Sequence, residues 1–130
     1  MSTEENTAIV RRLTKAVDDQ DFATIDEIMV PELATAFKEA SRWTNATFAG
    51  HKTTITNLVA EGDKVAAQLA TQGGHSGEFE GVPPTGKQWI NKGTLFVTIA
   101  DGKIVEADLL FDELGHLKQL GATIAPPATA

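Results

Sequence analysis

The 130-residue sequence predicts a single α+β domain: a cone-shaped, curved antiparallel sheet with N-terminal helices that enclose an apolar pocket. Three observations predict it. Apolar residues recur at helical spacing through the first third of the chain and at strand spacing after Phe48. Short turns rich in Gly and Asp join successive strands, as in a meander. Glycines at 73, 74, 77, 81, 86 and 93 interrupt those strands, where glycine marks bends and bulges. A strongly bent sheet with helices on its inner side makes a cone with a cavity inside.

The elements follow in order. Residues 2–19 predict a helix. Ser2 with Glu5 three residues on is a capping-box pattern, and Ile9, Leu13, Ala16 and Val17 recur at helical spacing. A second helix over about 21–29 puts Phe22, Ile25, Ile28 and Met29 on one side, and Pro31 ends it or starts the next. A third helical piece runs through Phe37, Ala40 and Trp43 to about Ala46. Residues 53–60 form the first strand, Glu61-Gly62-Asp63 a turn, and 64–74 the second strand. Pro83 and Pro84 make 81–86 a loop or sheet edge. Residues 88–100 and 103–111 are long strands joined by Asp101-Gly102, which has hairpin-turn composition. Asp112 caps a short helix over 113–120. The domain is expected to span 1–121 and the segment 122–130 to be a frayed tail.

Composition narrows the function. The chain has no cysteine, which excludes disulfides, thiolate catalysis and cysteine-ligated zinc. Its three histidines, His51, His75 and His116, show no i, i+4 pair, so no metal centre is expected. A formal net charge of −7 disfavours nucleic acid and acidic lipid as partners. The N-terminal residues are charged where a signal peptide needs an apolar run, and no stretch approaches the roughly 18 apolar residues of a membrane span. A cytoplasmic protein is the expectation.

Alternation locates the pocket wall. On the last strand Val105, Ala107, Leu109 and Phe111 share an apolar face, opposite Ile104, Glu106, Asp108 and Leu110. Leu95, Val97 and Ile99, continued by Trp89, Asn91 and Gly93, are candidates for the same inner wall. Such a face is either ordinary core or the lining of a cavity. Glu106 and Asp108 look like an acid–base pair, but alternation turns them away from the apolar face. Asp112 reads as an N-cap. His75, after Gly73-Gly74, is either a proton shuttle or a hydrogen-bonded residue at a bulge. Trp43 and Trp89 are either flat pocket walls or core.

The run from His75 to Lys87 resembles the SnoaL-like polyketide cyclases, also called ester cyclases, of the nuclear transport factor two-like superfamily. Ile9-Val10-Arg11-Arg12, Glu61 to Val65, Asp101 to Glu106 and Asp112 through Gln119-Leu120-Gly121 carry the same resemblance. It implies an α+β cone, assembly into dimers or tetramers through the outer sheet face, and a small hydrophobic molecule as ligand. It also implies a cofactor-independent ring closure in which a carboxylate takes a proton next to a carbonyl and a histidine assists. In the family pattern the carboxylate position corresponds to Leu109 and the histidine position to Leu95, neither of which carries a proton. A bulge would instead bring Asp108 to the carboxylate position. His75 and Asp112 match the wider family and are the remaining polar candidates. A second departure is the short link from Met29-Val30-Pro31 to Phe37, where the family has a longer pocket rim. Two functions follow: a cyclase, lyase or isomerase acting on a hydrophobic carbonyl compound, or a ligand-binding module that has lost the acid–base pair.

Overall fold

The structure, a computed structural model, describes residues 2–128. Three helices, α1 (Thr3–Asp19), α2 (Phe22–Ile28) and α3 (Pro31–Thr47), precede four strands. These are β1 (Phe48–Glu61), β2 (Lys64–His75), β3 (Gln88–Ala100) and β4 (Lys103–Phe111), and a short helix α4 (Glu113–Gln119) follows them. The sheet is an antiparallel meander in the order β1-β2-β3-β4. The α+β cone expected from the sequence is the fold observed. Among the described residues no helix is long and apolar enough to cross a membrane.

Local chemistry sets the helix ends. Ser2 and Glu5 form the capping box, and the Asp21 side chain accepts from Thr24 N to start α2. Of the two roles open to Pro31, it starts the next helix: α3 begins there, because proline suits the first helical turn, where its missing N–H costs nothing. Only Met29 and Val30 separate α2 from α3, and Val30 N donates to Ile104 O at 3.1 Å, so this joint is pinned to β4. Ser41 Oγ and Asn45 Nδ2 of α3 both donate to Val17 O, at 2.6 and 3.0 Å, which fixes the C-terminal turn of α1.

Helices α1 and α2 and the start of α3 cover one half of the inner sheet face. Ile9, Val10, Leu13, Ile25, Ile28 and Met29 pack there against Val65, Leu69, Leu95, Val97, Ile99 and Ile104. The faces differ from simple alternation at three places. The pairing slips between Ala49 and Lys52, between Ile55 and Asn57, and at β4 between Ile104 and Glu106. Each slip is a bulge with one extra residue, which lets inward residues stand three apart. At β4 the extra residue is Val105. Ile104 is therefore fully buried, and it, not Val105, continues the inner face of Ala107, Leu109 and Phe111.

Candidate active site

The other half of the inner face is arranged differently. The paired residues Thr53, Thr71 and Asn91 cross β1, β2 and β3 as one polar row. Below this row Phe48, Phe79, Trp89 and Leu120 form a second, mainly aromatic cluster. Phe79 reaches it from the loop after β2, where Glu80 and Gly81 (φ 49° and 80°) make a tight turn closed by reciprocal Phe79–Val82 backbone bonds. α4 covers the same end. Beyond the end of β4, its Gln119 amide bonds both Ile90 N and Ile90 O, at 3.0 and 2.6 Å, replacing a strand partner. Between polar row, aromatic cluster and α4 lies a cavity of about 350 Å³. Trp43, Phe48, His51, Thr71, Asn91 and Phe111 are among its lining residues. That size accommodates a small organic ligand. The Phe111 ring lies where a side chain on Gly93 would stand, so this glycine makes room for one wall.

His51 stands on the cavity wall. Gly50 (φ 66°) opens the first β1 bulge, and the extra residue turns His51 onto the same side as Phe48 and Thr53. Its Nδ1 is 3.0 Å from Asp18 Oδ1, and both side chains are largely buried. The Asp18 carboxylate also accepts from Thr53 N at 2.6 Å and from Thr53 Oγ1 at 3.0 Å. A carboxylate only accepts, so Nδ1 carries a proton, and in the neutral ring this tautomer leaves the lone pair on Nε2. Among the described residues Nε2 has no hydrogen-bond partner. The ring centroid lies 5.9 Å from that of Trp89.

The other two histidines meet the same cluster. The His116 ring is 4.0 Å from Trp89 and 4.7 Å from Phe79, and its Nε2 is buried without a partner. Burial, with repulsion from His75 and His51, lowers the His116 pKa to about 4. The ring is therefore neutral at physiological pH. The unfolded chain takes up this proton near pH 6.5 and the folded chain does not until about pH 4. Stability should thus be full above about pH 6.5 and fall as the pH drops toward 4. Urea midpoints measured at several pH values test this. His116→Phe should flatten the fall, and an unchanged slope would contradict it.

His75 is completely buried, and its Nδ1 accepts from Thr85 N at 3.1 Å with Thr85 Oγ1 at 2.9 Å. It anchors the loop 76–87 and does not line the cavity. Asp112 is exposed and caps α4 by accepting from Gly115 N at 2.9 Å. Among the described residues no hydrogen bond joins His75 to Asp112, so the structure does not bring this pair together. Asp108 pairs with Phe96 on the outer face, exposed, because the β4 bulge falls before it and leaves its own register regular. Of the expected pocket residues, Trp43, Trp89, Asn91, Leu109 and Phe111 line the cavity. Leu95, Val97 and Ala107 do not. The helices fill the space above them and make them part of the main core. His51 and Asp18 escaped sequence reasoning, because Gly50-His51 lay outside the expected strand and Asp18 is 33 residues away. A β1 periodicity that allowed for a bulge at Gly50 would have exposed His51.

Among the described residues no three His, Cys, Asp or Glu side chains converge as metal ligands would. The chain is similar in structure to TsrD from Streptomyces laurentii, at 23% identity and TM-score 0.88 over 95% of this chain and 99% of that one. It is also similar to AclR from Streptomyces galilaeus, a candidate hydroxylase, at 22% identity and TM-score 0.83, covering 97% and 91% of the two chains. For IdmH from Streptomyces antibioticus, a candidate polyketide cyclase, the identity is 26% and the TM-score 0.81, covering 90% and 99%. No curated protein matches the chain. The family model for the SnoaL-like polyketide cyclases matches residues 6–120, and the chain belongs to that family.

Proposed function

We propose that the protein is a cofactor-independent enzyme of polyketide-cyclase type that cyclises or isomerises a small hydrophobic carbonyl compound. The cavity itself carries this reading: flat aromatic walls for an apolar ring system, crossed by a polar row. Asn91 supplies the polar handle. Its Oδ1 accepts from Lys92 N at 2.9 Å, which leaves the amide Nδ2 as the donor available to a carbonyl oxygen. Such a donor stabilises an enolate more than the ketone it comes from, which is what proton removal beside a carbonyl requires. Outside the cavity, the exposed Val59, Ile90, Phe96 and Leu110 on the outer sheet face suit pairing between copies of the chain.

A second reading, a binding module without chemistry, is favoured by one observation. Leu109 at the cavity edge and Leu95 in the core hold the two positions of the family's proton-transfer pair. Both readings share the ligand site. Titration with 2-tetralone, a bicyclic aromatic ketone, should change tryptophan fluorescence saturably. Leu109→Arg, which places a guanidinium at the edge, should weaken that response at least about tenfold through the cost of desolvating the charge. An equal response from the variant would remove the ligand from this cavity.

A further inference from the structure

We propose that Asp18 and His51 are the proton-transfer pair of this protein, with His51 Nε2 as the base and Asp18 as its positioning residue. This rests on the reading of the cavity as a site for a carbonyl compound. Four features converge on it. Of the two histidines that line the cavity, His51 and His116, only His51 has one ring nitrogen held by a carboxylate while the other, Nε2, is neither bonded nor sealed from solvent. His75 is held at Nδ1 by Thr85, and its Nε2 is buried. His116 has its Nε2 buried as well. The Asp18 carboxylate fixes the tautomer that leaves the lone pair on Nε2.

The placement of Asp18 is itself informative. It lies in the last turn of α1, which has no basic residue, and there the helix dipole disfavours a negative charge. The fold nevertheless holds this carboxylate in place with the Thr53 N–H and hydroxyl, and α3 clamps the turn that carries it through Ser41 and Asn45. A carboxylate so placed stabilises an imidazolium formed beside it. His51 and Asp18 also line a second cleft with Lys15, Asp19 and Lys52. His51 is therefore shared between the aromatic cavity and this charged cleft.

The step balances simply. Nε2 takes a proton from the carbon next to the carbonyl, and the C–H electron pair becomes the enolate, whose oxygen faces the Asn91 amide. The imidazolium, its charge matched by Asp18, returns the proton to carbon or exchanges it with water. In a cyclising substrate the enolate carbon instead attacks a second carbonyl carbon, and the imidazolium proton passes to the resulting alkoxide.

Deuterium exchange beside the carbonyl of 2-tetralone, followed by proton NMR in heavy water alongside the fluorescence titration, tests the pair. Wild-type protein should bind and accelerate the exchange. His51→Gln should still bind saturably and lose about 100-fold or more of the acceleration. Asp18→Asn should lose about as much with binding unmoved. Its single carbonyl oxygen is claimed by Thr53 N, so its amide faces Nδ1 and the proton is forced onto Nε2. Asp18→Glu, which restores a carboxylate, should recover part of the rate, a rescue that a merely structural role for Asp18 would not produce. Binding without acceleration in the wild type, or full acceleration in His51→Gln, overturns the proposal. Failure of the wild type to bind overturns the reading of the cavity, and the role of the pair falls with it.

Discussion

Trp89→Ala is expected to lower the unfolding free energy by about 3 to 5 kcal/mol, the range for emptying a large buried aromatic site. The indole is 3% exposed and sits between Phe48, His51 and His116, with ring centroids 4.7, 5.9 and 4.0 Å away. It is the hub through which strand, cavity wall and α4 touch. The loss should show as a lower urea midpoint at an unchanged slope. Trp89→Phe discriminates packing from hydrogen bonding. The indole Nε1 is buried without a partner, so phenylalanine removes a polar group that gains nothing and should cost less than about 1.5 kcal/mol. A comparable loss from both variants would mean that the indole N–H is satisfied after all.

Ile104→Ala comes next, at about 3 kcal/mol. Ile104 is wholly buried beneath the α2–α3 joint, which the Val30 N to Ile104 O bond ties to β4. Its neighbour is the control. Val105, the extra residue of the bulge, is only partly buried, and Val105→Ala should cost about 1 kcal/mol or less. Regular alternation would reverse the order of the two losses, so chemical denaturation of this pair reads the bulge directly.

The fold was legible because its signals are local and redundant. The capping box at Ser2, the Asp101-Gly102 hairpin and the Asp112 cap lie in short stretches of sequence, and each is where its residues indicate. The cavity wall was legible where strands stay regular, from Trp89 to Ile99 and from Ala107 to Phe111. It was not legible where two inward residues stand three apart, as at Phe48–His51, Ile55–Leu58 and Ile104–Ala107. A period-two reading must then misplace one of each pair. Alternation also does not say how far helices extend over a face, so Leu95 and Val97 read the same as Asn91 and Trp89 although only the latter meet open space. Asp18 belongs to neither pattern. On α1 it is one more polar residue, and only the packing of that helix against β1 gives it His51 and Thr53 as partners.

Gly50 gives the pattern at Phe48–His51 a sharper meaning. In an unbroken strand these two side chains would face opposite ways, and the extra residue brings the aromatic wall and the imidazole to one side. Shortening the chain by one residue here would restore a regular strand with both still inside. Keeping the length but replacing Gly50 by a β-branched residue would resist the positive φ and turn one of them to water. At this point of the chain length is the tolerant variable and the absence of a Cβ the intolerant one. Relatives that lack one residue here could therefore keep the same inward pair, whereas those with a bulky residue at full length could not.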